Sequence, residues 1–180
     1  MVLRNWYKAM TAEMSNSQSV TGINTSGTAN YFTPYSSSGG VANNTRLVMA
    51  GGTPSSNDYT PHMANVRTSY GYGGVVFGTG DTAPAFDDYK LSGSIVTAIN
   101  AGASVETTFD DDGCTFVGTY NISNTGSAEI TIKEVGLILR SAYNNQPILI
   151  ERTVLDTPLT IPAGGIGQVV YTIRMDYPTA

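Results

Sequence analysis

The run from Ile130 to Leu139 restricts this chain more than any other stretch. Ile130 and Ile132 fall on one parity with Glu129, Thr131 and Lys133 on the other, and beyond Glu134 the apolar positions become Val135, Leu137 and Leu139. A period of two is strand geometry, in which alternate side chains face opposite ways. A one-residue slip in that period marks a bulge or bend near Lys133–Glu134. It also gives Glu134, Gly136 and Ile138 a shared parity and predicts a partly buried Glu134. A buried carboxylate needs a partner. Arg152 or Arg140 can supply one across the sheet, as a salt bridge that fixes register.

Other segments carry the same period. Cys114 to Ser123 puts Phe116, Gly118, Tyr120 and Ile122 on one face, and Val169, Tyr171, Ile173 and Met175 alternate with Gln168, Val170, Thr172 and Arg174. Gly74–Val–Val–Phe–Gly78 reads as a short buried strand. Ser94 to Ile99, Ala103 to Phe109 and Pro147 to Arg152 are further strand candidates. Turn chemistry separates them: Asn100–Ala–Gly102, Asp110–Asp–Asp–Gly113, Asn124–Thr–Gly126 and Pro162–Ala–Gly–Gly165. About eight short strands at these intervals predict an all-β fold, an antiparallel β-sandwich or jelly-roll-like domain.

The first 45 residues differ. Val2, Leu3, Trp6, Met10 and Met14 form an apolar stripe at helical spacing over residues 2–14. So short a helix is marginal alone, so the stripe packs either on its own domain or on a neighbouring subunit. Residues 15–45 are mostly Ser, Thr, Asn, Gly and other small residues around an aromatic island, Tyr31, Phe32 and Tyr35. They suit either a flexible linker or an extended arm that orders on a partner. The expected organisation is therefore an N-terminal helix and extended arm over 1–45 and a β-sandwich over 46–180.

Composition removes several functions. The 180 residues carry 9 Lys+Arg and 14 Asp+Glu, a net charge of −5, with no basic run. A dedicated nucleic-acid binder is thereby disfavoured. No apolar stretch approaches membrane-spanning length, and residues 1–14 do not read as a secretory signal. Cys114 is the single cysteine, so no internal disulfide is expected.

Residues that carry chemistry are present but poorly arranged for it. His62 is the only histidine, between Pro61 and Met63, and no nucleophile-elbow or other triad signature accompanies it. Asp110, Asp111 and Asp112 resemble the start of a calcium loop, but Cys114 and Thr115 break the pattern and no glutamate closes it. Asp81, Asp87 and Asp88 lie beside Lys90, and sequence proximity alone does not set two carboxylates across a sugar. Gly78–Thr–Gly80 lacks the third glycine and following helix of a dinucleotide fingerprint. The expectation is a chain with no catalytic residue, no metal ligand set and no cofactor.

Three segments together resemble a family of small structural proteins of tailed bacteriophages. They are Phe77–Gly–Thr–Gly–Asp–Thr–Ala–Pro–Ala–Phe–Asp–Asp–Tyr–Lys–Leu91, then Ile130–Thr–Ile–Lys–Glu–Val–Gly–Leu137, then Leu149–Ile–Glu–Arg–Thr–Val154 with Thr160–Ile–Pro–Ala–Gly164 and Val170–Tyr–Thr–Ile173. The resemblance covers about residues 75–175. It implies a non-enzymatic virion component, either an accessory capsid (decoration) protein or a head–tail, tail or fibre-associated protein. Such a chain would be assembled in the host bacterial cytoplasm and would act through multivalent contacts with capsid, connector or tail proteins and with itself. The contact residues expected are Val2, Leu3, Trp6, Met10, Tyr31, Phe32 and Tyr35, with the loop from Gly78 to Phe86. A second reading is a carbohydrate-binding module for host-surface glycans, using Tyr70, Tyr72 and Trp6.

Overall fold

The structure is a computed structural model, and it describes residues 1, 3–8, 20–32, 63–140 and 147–176. Among the described residues nine strands follow in chain order: β1 (Val20–Ile23), β2 (Ala29–Phe32), β3 (Val66–Arg67), β4 (Gly74–Gly78), β5 (Ile99–Phe109), β6 (Gly113–Asn124), β7 (Ile130–Arg140), β8 (Pro147–Ile161) and β9 (Ile166–Asp176). They build a four-stranded sheet of order β3-β4-β7-β8, a three-stranded sheet of order β5-β6-β9 and a separate β1–β2 hairpin. All pairings are antiparallel except the two-residue β3–β4 contact. The chain is thus an all-β sandwich with one short helix, α1, over residues 4–8.

The alternating rows set the core. From the larger sheet come Val75, Phe77, Val135, Leu137, Leu139, Ile148, Ile150 and Ile161; from the smaller come Phe116, Tyr120, Ile122, Val169, Tyr171 and Ile173. Each such fully buried apolar side chain contributes about 1.5–3 kcal/mol. Phe77 and Tyr120 meet edge to face between the sheets, centroids 5.5 Å apart. The Tyr120 hydroxyl donates to the Met63 carbonyl at 2.7 Å, which ties the approach to β3 onto the opposite sheet. Asn124, buried at the end of β6, donates to the carbonyls of Ala128, Ile161 and Pro162 and so pins two sheet-switching turns together.

The parity slip is present where the alternation breaks. The β7–β8 register jumps between Ile132, which faces Leu159, and Glu134, which faces Val154. Four residues of β8 there oppose one of β7, so the irregularity is wider than a single bulge. β5 differs from expectation: Ile99 to Phe109 is one continuous strand, and Asn100–Ala–Gly102 lies inside it rather than forming a turn. Its partner β6 supplies an unbroken ladder on one side, which overrides the weak strand preference of Asn and Gly. Ile95, upstream, makes only an isolated bridge to Gly78.

The outer face of the larger sheet is covered. Val76, Ile138 and Leu149 point away from the main core and form a second cluster with Leu3 and Leu91. The cover comes from the N-terminus and from residues 79–93. Met1 and Leu3 lie beside β8, with Leu3 N–H donating to Ile150 O and Arg152 N–H to Met1 O. Residues 20–32, read from sequence as part of a linker or arm, instead hold the β1–β2 hairpin. Asn5 joins that hairpin to the sandwich: it exchanges hydrogen bonds with Ile23 and donates to Leu149 O.

A candidate binding surface where helix and loop meet

The base of this surface is a buried ion pair. Glu134 on β7 has no exposed side-chain area, and Arg152 on β8 is 1% exposed, with Arg152 Nε 2.7 Å from Glu134 Oε2. Both sit on the covered face of the larger sheet, one diagonal step apart across the ladder. Glu134 also accepts from four groups of the covering loop. Oε1 takes the N–H groups of Gly80 (2.9 Å) and Gly93 (2.8 Å). Oε2 takes the Ser92 N–H (3.0 Å) and hydroxyl (3.2 Å). Arg152 completes the grip by donating to Asp88 Oδ2 and to the Thr82 carbonyl, each at 2.6 Å. Burial alone would lower the Arg152 pKa; the bonds to Glu134 and Asp88 outweigh it and raise the value.

The loop can approach this closely only because two of its contact residues are glycines. A Cβ on Gly80 would collide with Ser92 Oγ and Gly93 N, and one on Gly93 would collide with Gly80 N. The two passes of the loop therefore touch backbone to backbone above the carboxylate. The Tyr70 hydroxyl accepts the Leu91 N–H at 3.0 Å and holds the loop's far end. Its pKa is raised, chiefly by burial.

On this base the loop tip meets α1. Phe86 (45% exposed) and Tyr7 (56% exposed) lie with ring centroids 6.0 Å apart. Arg4 stacks over the Phe86 ring at 5.2 Å, pairs with Asp87 through Nε at 2.8 Å, and its N–H donates to the Phe86 carbonyl. Beside them opens a cavity of about 300 Å³ lined by Arg4, Asn5, Lys8, Ile23, Asp87 and Asp88. Exposed aromatics held next to an Arg, with their backbone fixed, are the composition of protein-binding hot spots.

The expected contact residues are distributed differently. Leu3 and Trp6 are buried, at 0% and 6% exposure, in the chain's own packing. Leu3 and Trp6 therefore face inward. Tyr31 and Phe32 lie in β2. Val2, Met10, Tyr35 and His62 lie outside the described residues. The loop from Gly78 to Phe86 was expected to contribute, and the structure brings its Phe86 to the helix. Tyr7 and Arg4 lie off the apolar stripe, and that position is the sequence signal for their exposure. With Trp6 buried, the sugar-stacking trio loses one member, and Tyr70 spends its hydroxyl on Leu91.

Asp81, Asp87, Asp88 and Asp110 each hold a basic side chain. Asp81 pairs with Lys133 at 2.8 Å, and that hydrogen bond lowers its pKa. Asp110 closes the β5–β6 turn and pairs with Arg174 at 2.8 Å, which lowers its pKa to about 2. Cys114 is buried. Among the described residues no group of three or more His, Cys, Asp or Glu is placed to hold a metal ion, and no helix is long and apolar enough to cross a membrane. No family model matches the chain, and no match was found among curated proteins or solved structures.

Proposed function

We propose that this chain is a non-enzymatic structural component of a tailed-phage virion, an accessory capsid or head–tail or tail-associated protein working through many modest protein contacts. The observation that carries the reading is the surface of Tyr7, Phe86, Arg4 and Asp87 seated on the buried Glu134–Arg152 pair. The fold's two most deeply buried charges are spent on holding a loop still rather than on a reactive cleft. A preset surface loses little side-chain and loop entropy on docking, which suits a part that repeats many times in a particle. The order of motifs from Phe77 to Ile173 supports the same class.

The test is the protein content of purified particles of the phage that encodes the chain. Densitometry giving a copy number in the hundreds supports capsid decoration; a small copy number matching tail symmetry supports a tail or connector position. Absence of the chain from particles refutes the reading. Within particles, a Tyr7→Ala/Phe86→Ala variant is expected to lower affinity at least tenfold, about 1.4 kcal/mol, while melting like the parent. Unchanged occupancy would place the contact elsewhere.

A further inference from the structure

The four edges of the two sheets are not treated alike. Exposed edges invite pairing with another chain, and proteins blunt them by shortness, cover or charge. β3 is two residues long. The outer edge of β8 is hydrogen-bonded to Met1 and Leu3 at Arg152 and Ile150. β9 carries Arg174 and Asp176 near one end, tied to each other and to Asp110. β5 is neither short nor, among the described residues, covered. It runs eleven residues in unbroken register with β6, without Pro, Lys or bulge, and no described strand pairs with its other side. Glu106 is its only charge. Phe109, at its end, is 73% exposed although it shares the parity of the core-facing Ile99.

We infer that β5 pairs antiparallel with β5 of a second copy, joining the two three-stranded sheets into one of six strands. The occupant follows from the strand's fit to itself. A two-fold axis at Ser104 keeps inward rows with inward rows and overlaps all eleven residues. On the inward row Phe109 then meets Ile99 of the partner subunit, Thr107 meets the partner's Ala101, and Val105 meets the partner's Ala103. Larger side chains face smaller ones, and the exposed Phe109 gains an apolar neighbour. On the outward row Glu106 meets the partner's Gly102, beside which there is open space. The two Glu106 carboxylates are offset by four residues, about 14 Å at strand rise, beyond the ~8 Å screening length of physiological salt. The contact is isologous and closes on itself.

This extends the assembly reading by naming its first partner, and it is tested on the purified chain alone. Sedimentation velocity over a concentration series should show a dimer. Ser104→Lys, at an exposed position, sets two ammonium groups on the axis and should yield monomer. Gly102→Glu, which sets a second acid against the partner's Glu106, should do the same. Thr119→Lys, one strand inward on the same face, should leave the dimer intact. All three should keep the parent's circular dichroism, since each site is on the solvent face, and Thr119→Lys should keep its melting temperature as well, whereas the two monomeric variants lose the part of it that depends on protein concentration. A parent that stays monomeric throughout overturns the pairing, as does a dimer indifferent to both β5 variants or equally lost in Thr119→Lys. A monomeric chain still found in particles would spare the proposed function. A dimeric chain absent from particles would sink that function and spare the pairing.

Discussion

Replacing Glu134 by Gln changes one atom of the side chain and reverses one hydrogen-bonding role. The groups hydrogen-bonded to the two carboxylate oxygens all donate: Gly80 N–H, Gly93 N–H, Ser92 N–H and hydroxyl, and Arg152 Nε. Whichever way the amide turns, its NH₂ points at donors. One side strands two loop N–H groups; the other strands Ser92 and Arg152. A buried donor left unsatisfied costs about 1–3 kcal/mol, and breaking a buried ion pair costs about 3–5 kcal/mol. The two routes agree on a loss near 4 kcal/mol. Neither partner is exposed enough for solvent to screen the loss. In a chain of this size that lowers the melting temperature by about 8–16 °C. Urea unfolding followed by far-ultraviolet circular dichroism measures the free energy. Limited proteolysis reads the loop directly, with new cleavage between residues 79 and 93 expected in native buffer. A double-mutant cycle with Arg152→Leu should give a coupling of at least about 1 kcal/mol. A Glu134→Gln loss below about 1 kcal/mol, with no new cleavage, would refute the idea that this carboxylate holds the loop.

Three further outcomes are expected. Tyr171 OH is buried without a partner whereas Tyr120 OH donates to Met63 O; Tyr171→Phe should raise stability by about 1 kcal/mol and Tyr120→Phe lower it by a similar amount, both by denaturant melts. Glu151 has a raised pKa because burial outweighs its contact with the Met1 ammonium; the folded state then holds the proton more tightly than the unfolded one, so this group's contribution falls as pH climbs from about 4.5 through the raised value, and Glu151→Gln should remove that slope from a plot of melting temperature against pH. Asp110 is shifted the other way, from 3.8 to about 2, by its hydrogen bond from Arg174; its contribution is complete above the ordinary carboxylate range and is lost as pH falls towards 2, so Asp110→Asn should flatten the acid limb there, and an unchanged limb would show the pair to be idle.

Much of this architecture is legible in the residues, and the reasons are local. Gly74 to Gly78 shows its strand as a short apolar run bounded by glycines and buried on both faces, and Cys114 to Ser123 because inward and outward rows differ in polarity. The break at Glu134 shows because a one-residue slip is visible in any two-residue period; it leaves Arg152 and Arg140 as candidate partners, and the structure pairs Glu134 with Arg152. β5 was split because Asn100 and Gly102 are turn formers in isolation; the β6 ladder that straightens them is a long-range fact. The cover of the larger sheet was illegible for a similar reason. Nothing in the Thr79–Leu91 run says that it folds back over Ile138 and Leu149, since its contacts lie more than forty residues away in the chain. Leu3 and Trp6 read as apolar residues to be packed on their own domain or on a neighbour, and the structure buries both in their own chain. An amphipathic stripe tells that it will be covered, not by which chain.

The seat of residues 79–93 has a consequence for failure. Beneath it lie Val76, Ile138 and Leu149, so a molecule whose loop has lifted is still a folded sandwich, but one wearing a greasy strip on its back. Damage at Glu134 or Arg152 should therefore announce itself as clumping of otherwise intact protein before any strand melts. That sequence of events is visible as light scattering that rises ahead of the loss of β-sheet signal on heating.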